Sequence, residues 1–277
     1  MRNTDFQQRR KGKLIAVFLL TALFAASVVV GVSAWRRFST LDANSSSVTG
    51  ETAIEQLKHD GSYNSLAAAM AAAQYQINQQ GNRWLAGNPA QQFNASFTDR
   101  ELRIADCGLR ADKQQASKPQ WEFGLKLKGF GYGDDLPEVS EGETIANGNR
   151  IEITKSAIRN PQSKITEWYV NKPEGLEQGF TINQPPTTNH KLRLAIQVTG
   201  DLRAEAASDQ SVVLKDKHNR VVLGYNQLAA WDAGHQVLPA TMSADGGTIT
   251  LEVDDTNAVY PVTIDPLIAQ QIGRAHV

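Results

Sequence analysis

The sequence predicts a mainly β fold, an antiparallel domain that is sandwich-like or barrel-like, preceded by an N-terminal hydrophobic helix and a short amphipathic helix. Three observations predict it. Apolar and polar residues alternate with a period of two through the second half of the chain, the mark of strands with one face on a core. Turn dipeptides recur between those runs. No convincing helical period returns between residues 91 and 266.

The alternation is clearest in three places. In "FGLKLKGF", Phe123, Leu125 and Leu127 alternate with Gly124, Lys126 and Lys128. In "KLRLAIQV", Leu192, Leu194, Ile196 and Val198 hold one phase, and in "TITLEVD" Ile249, Leu251 and Val253 do so. "ITEWYVNKPEGLEQGFTI" predicts a hairpin. Pro173 and Gly175 supply its turn, and Leu176, Phe180 and Ile182 fall on one face of the return strand. Asn147-Gly148 and Asp245-Gly246-Gly247 are further turn signals. Residues 91–266 are therefore expected to form one all-β domain, with no fixed-period repeat inside it.

Upstream the text changes character. Residues 14–34, "LIAVFLLTALFAASVVVGVSA", carry no charge and follow the basic cluster "RRKGK". That order is expected of an export signal, with cleavage after Ala34 one outcome. As a helix the segment would span about 30 Å, enough to anchor in a bilayer uncleaved. Trp35, Arg36 and Arg37 suit that interfacial role. The basic cluster keeps the amino terminus cytoplasmic and sends the rest out, to the cell surface or the medium. Residues 35–63 are expected to be a linker, with "STLDANSSSVTGET" its Ser/Thr-rich part. Residues 64–80 are expected to form the amphipathic helix, with Leu66, Met70, Ala73 and Ile77 on one face.

Charge excludes one class of partner. The whole chain has 28 basic and 29 acidic residues. The first 34 residues hold five bases and one acid, so the remainder carries 23 bases against 28 acids. Such a body has no general attraction for phosphate backbones, and no nucleic-acid partner is expected. The single cysteine, Cys107, cannot form an intrachain disulfide and reads as a small hydrophobe.

Candidate chemistry is sparse. "GFGYGDD" has the glycines of a phosphate loop, but "LPEVSEGE" follows it and is not helical, so a strand ending in a turn is expected. Asp134 and Asp135 lack the spaced acids of a calcium loop. His59, His190, His218 and His235 are far apart, in no metal-ligand spacing. The aromatics Trp121, Trp168, Tyr169 and Trp231 offer two readings. Trp121, Trp168 and Trp231 are candidate ligand-stacking residues for a sugar ring, with Glu167 or Asp232 as carboxylates. The other reading is aromatic core filling. Trp168 and Tyr169 are adjacent on a strand, so only one of them can face the core. No catalytic, cofactor or metal residues are assigned.

"TEWYVNKPEGLEQGFTI", with "GFGYGD", "AWDAGHQVLPATM" and "YPVTIDPLIAQQ", resembles an amino-terminal region of large exported bacterial proteins. In those proteins a relative of "YPVTIDP" leads into FG-GAP repeats, the blades of an integrin-α-like β-propeller. The resemblance covers roughly residues 56–271. It implies a non-catalytic module ahead of a propeller of the same chain, with a cell-surface protein or glycan as a further partner. Calcium would belong to the propeller and not to these residues. Residues 267–271 would begin the linker to it. The terminal "QIGRAHV" is what a translation of CAG ATC GGA AGA GCA CAC GTC would give, all but the first base of which resembles a common short-read sequencing adapter, so residues 272–277 are expected to be foreign and the natural frame to continue.

Overall fold

A computed structural model describes residues 54–55, 58–59, 61–107, 118–186 and 191–270. The hydrophobic segment 14–34 and the adapter-like residues 272–277 lie outside the described residues. Among the described residues no helix is long and apolar enough to cross a membrane. By contacts the chain divides into two units, Met1–Ser65 and Leu66–Val277. In the first, the Lys58 ammonium stands 5.3 Å from the Tyr63 ring centre. The second contains every strand among the described residues.

Among the described residues an α-helix, α1 (Ser62–Ala73), precedes sixteen strands. β1 (Ile77–Gln80), β2 (Arg83–Asn88), β3 (Phe93–Phe97), β4 (Leu102–Asp106), β5 (Glu122–Gly131), β6 (Glu143–Asn147), β7 (Arg150–Ala157) and β8 (Asn160–Lys172) form the first half of the order. β9 (Gly175–Ile182), β10 (Leu192–Gly200), β11 (Arg203–Ser208), β12 (Ser211–Lys215), β13 (Val221–Trp231), β14 (Ala240–Asp245), β15 (Thr248–Val253) and β16 (Val262–Gln270) complete it. The first sheet runs β1-β2-β3-β4-β5-β10-β15-β14, and the second β11-β12-β13-β16-β9-β8-β7-β6. Every pairing within them is antiparallel. Two sheets that share no strand make the architecture sandwich-like.

The period-two pattern decides which face turns inward. Phe123, Leu125 and Leu127 of β5, and Leu192, Leu194 and Ile196 of β10, meet Ile151, Ile153, Ile165, Phe180 and Ile264 of the second sheet in one core. The Phe97 ring from β3 lies 5.0 Å from the Tyr169 ring from β8, which ties the two sheets directly. Each large side chain so buried contributes about 1.5–3 kcal/mol. The edge strands β11 and β14, one from each sheet, lie side by side. There the Met242 amide donates to the Asp209 carbonyl at 2.7 Å.

The expected hairpin is present. Lys172 pairs with Gly175 across Pro173-Glu174, and that turn sets Trp168 opposite Gly179 and Ile165 opposite Ile182. Gly148 and the Gly246-Gly247 pair have positive φ in the β6–β7 and β14–β15 turns, which is the conformation those two-residue turns need.

Two boundaries differ from the sequence expectation. The helix stops at Ala73 and buries no residue, and Leu66 and Met70 are exposed. Ile77 instead opens β1, is 5% exposed, and its amide donates to the Gly148 carbonyl at 2.8 Å. Alanine propensity favours a helix only weakly per residue, whereas burying Ile77 in a paired strand gains more. Gly81-Asn82 then turns β1 into β2, so the β domain begins before residue 91. Its last strand runs past Pro266 to Gln270.

Candidate functional site

The three tryptophans go to three different environments. Trp168 lies on the outer face of the second sheet and is only 7% exposed. A Cβ on Gly179, its cross-strand partner, would stand 1.9 Å from the indole. The ring therefore lies flat on the Gly179 backbone. The Arg150 guanidinium covers it at 4.3 Å, and its Nε1–H donates to Thr181 Oγ1 at 3.1 Å. With Gly179 on one side and Arg150 on the other, the indole offers no free face to a sugar. Tyr169, the next residue, is the one that enters the core.

Trp121 is half-buried immediately before β5, with its ring 6.1 Å from that of Phe123. It lines an open groove of about 370 Å³ with Asp201, Asp216, Lys217, His218 and Arg220. Both acids of the groove are engaged. Asp201 Oδ2 accepts the Glu122 amide at 3.0 Å. Asp216 accepts the Arg220 and His218 amides at 3.0 and 2.9 Å and the Arg220 side chain at 2.8 Å. These bonds, the Arg220 amide foremost, hold its carboxyl at about 2.

Trp231 closes β13, pairs with Thr263 and bridges to Val237. The length of β13 separates it from the Trp121 groove, which is roughly 30 Å at the usual strand rise. The structure thus does not gather the three tryptophans into one surface.

The two candidate carboxylates are both committed to the fold. Asp232, next to Trp231, is 3% exposed. It accepts the amides of Gly234, Gln236 and Val259 at 2.8, 2.9 and 3.0 Å. Those donors, Val259 first, depress its pKa. Glu167 is 1% exposed, inside the sandwich. Its Oε2 meets Lys155 Nζ at 2.5 Å, while its Oε1 accepts the Tyr169 hydroxyl at 2.5 Å and the Gln178 side-chain amide at 2.9 Å. Tyr225 donates to Gln178 Oε1 at 2.9 Å and closes the chain. Burial, and then the Glu167 charge, push the Tyr169 and Tyr225 hydroxyls well above their ordinary range. This cluster draws on β7, β8, β9 and β13. A period-two reading places Glu167 on the inner face, in phase with Ile165 and Tyr169, and Lys155 there with Ile151 and Ile153, but it does not pair the two across strands.

"GFGYGDD" ends β5 in a bend, as expected, and Gly133 has positive φ there. Asp134 pairs with Arg193, and Asp135 with Arg159, so both side chains serve ion pairs. Tyr132 of the same motif does more. Its hydroxyl and that of Tyr260 both donate to Asp255 Oδ2, at 2.5 and 2.6 Å. The Lys191 amide donates to Asp255 Oδ1 at 2.9 Å. Burial, and then the bond to Asp255, push the Tyr132 hydroxyl up to about 12 and the Tyr260 hydroxyl higher still. Two distant motifs, "GFGYGD" and "YPVTIDP", thus meet on one buried carboxylate.

His218 and His235 sit in the turns that Asp216 and Asp232 organise. His190 lies outside the described residues. Cys107 is half-buried. No protein-family model matches the sequence, and no curated protein matches it.

Proposed function

We propose that this chain is a non-catalytic, exported structural or interaction module, the amino-terminal part of a cell-surface or secreted protein that continues into an FG-GAP β-propeller. One observation carries the reading. The phrases that most specifically resemble the headers of such proteins build the centre of the second sheet. β16, from "YPVTIDPL", pairs with β9 from the "TEWYVNKPEGLEQGFTI" hairpin, matching Val262 with Ile182 and Ile264 with Phe180. Residues used as scaffold suit a spacer or cap. The carboxylates best placed by sequence for catalysis, Glu167 and Asp232, support the same reading, because their oxygens are filled by internal donors. Export rests on the uncharged segment 14–34 behind its basic cluster.

Fusing residues 1–38 ahead of a reporter that is active only outside the cytoplasm tests the export half of the proposal. Reporter activity is expected. A silent reporter, with the fusion intact in the cytosol, would refute it.

A second reading has one specific observation in its favour. Trp121, unlike Trp168, opens onto a groove with Lys217, His218 and Arg220 beside it. That arrangement suits a sugar ring stacked on the indole with its polar groups on the cations. Glycan-array binding that Trp121→Ala abolishes, with the circular dichroism spectrum unchanged, would establish a carbohydrate-binding β-sandwich. Binding unaffected by Trp121→Ala would remove the groove from consideration.

A further inference from the structure

Lys155 and Glu167 lie on neighbouring strands inside the sandwich, each side chain 2% exposed. Taking both charges out of water is expensive, and their attraction offsets that only with near-ideal geometry. The surroundings of Glu167 are more specific than an ion pair needs. One carboxylate oxygen, Oε2, faces the amine of Lys155 at 2.5 Å. The other, Oε1, receives two donors, the Tyr169 hydroxyl at 2.5 Å and the Gln178 amide at 2.9 Å. Tyr225 holds Gln178 Oε1 at 2.9 Å and so turns its Nε2 toward Glu167. A nucleophile on one side of a carboxyl group, with fixed donors on the remaining oxygen, is the arrangement that acyl transfer requires.

We propose that Lys155 and Glu167 become joined by an amide cross-link that the folded protein forms by itself. Lys155 Nζ first passes a proton to Oε2, giving a neutral amine beside a neutral acid. The amine attacks Glu167 Cδ and forms the C–N bond. Negative charge collects on Oε1, where Tyr169 and Gln178 already point. A second proton moves from Nζ to the Oε2 hydroxyl, the Cδ–Oε2 bond breaks, and one water leaves. One hydrogen stays on the amide nitrogen. Nothing is oxidised or reduced, and no co-reactant is needed. Lys155 also lines a surface cavity of about 240 Å³ with Leu127, Val139 and Ser140, and the released water departs there. Excluding bulk water from the core then disfavours hydrolysis of the bond. The product ties β7 to β8 covalently, beyond their backbone ladder.

A tryptic peptide map of the denatured full chain tests this directly. Acylated Lys155 is not a cleavage site. The expected species is therefore a branched peptide in which residues 151–159, uncut after Lys155, are joined to the peptide that begins at Ile165. Its mass should be short by one water. Cleavage after Lys155, with both peptides linear and at full mass, would overturn the proposal. The wild-type map is decisive without any variant having to fold. The Lys155→Met chain should release the peptide beginning at Ile165 at full mass, and a water loss that persisted there would overturn the assignment to Lys155.

Discussion

On the inner face of the second sheet, Glu167 has both carboxylate oxygens bonded, to Lys155, Tyr169 and Gln178. On the outer face of the same sheet, Asp265 has one oxygen, Oδ1, that is buried and has no hydrogen-bond partner among the described residues. Its pKa is pushed up to about 6, first by burial and then by the Glu177 charge. The deeper acid is the better satisfied, and the shallower one is held in its less soluble neutral form at higher pH than usual. Depth alone does not set the cost of a buried carboxylate; its donors do. The outer face stores its order differently, in the packing of Trp168 onto Gly179 and under Arg150.

The largest effect is expected where a donor set would be broken on the inner face. Glu167→Leu leaves the Lys155 amine buried without its partner, whether that partner is held by an ion pair or by the proposed amide, and should cost about 3–5 kcal/mol in urea denaturation. Recovery of wild-type stability would mean that Lys155 finds other solvation. Next comes Gly179→Ala on the outer face. The added methyl cannot coexist with the flat indole, so Trp168 must swing away, at about 2–3 kcal/mol, with a red-shifted tryptophan emission. An unchanged spectrum would contradict the packing.

Asp265 gives a pH-dependent test. Its folded pKa lies above its unfolded value, so its contribution is most favourable below about pH 4 and is lost as pH rises through about 6. Asp265→Asn should therefore match wild type in acid and exceed it at pH 8 by about 1 kcal/mol, after allowing for the side chain's partial exposure. Parallel stability curves for the two proteins would show that Asp265 is not perturbed. The smallest effect belongs to Arg150→Ala, which removes a partly exposed cation from the Trp168 face and should cost about 0.5–1 kcal/mol.

Much of the β architecture was legible because one face of each strand is apolar. The runs around Phe123, Leu194 and Leu251 show it, and the turn at Pro173-Glu174 fixes a register from which Trp168 opposite Gly179 follows by counting. The start of the domain was not legible, since "AAAMAAAQYQINQQ" favours a helix locally and only the sandwich rewards Ile77 as a strand residue. The roles of the candidate residues were legible only in part. Adjacency showed that Trp168 and Tyr169 must face opposite ways. Which acids were spent on the fold was not visible, because the partners of Glu167 come from β7, β8 and β9, and those of Asp232 include the distant Val259 amide. Partner identity across strands depends on register, which periodicity alone leaves open.

We propose that the scaffold built on these strands works outside the cytoplasm. Fractionation of cells producing the full chain, followed by protease treatment of the intact cells, tests it most directly. The expected result is recovery in the medium, or at the surface with cleavage by external protease. Recovery in the cytosol alone, untouched by the protease, would contradict it.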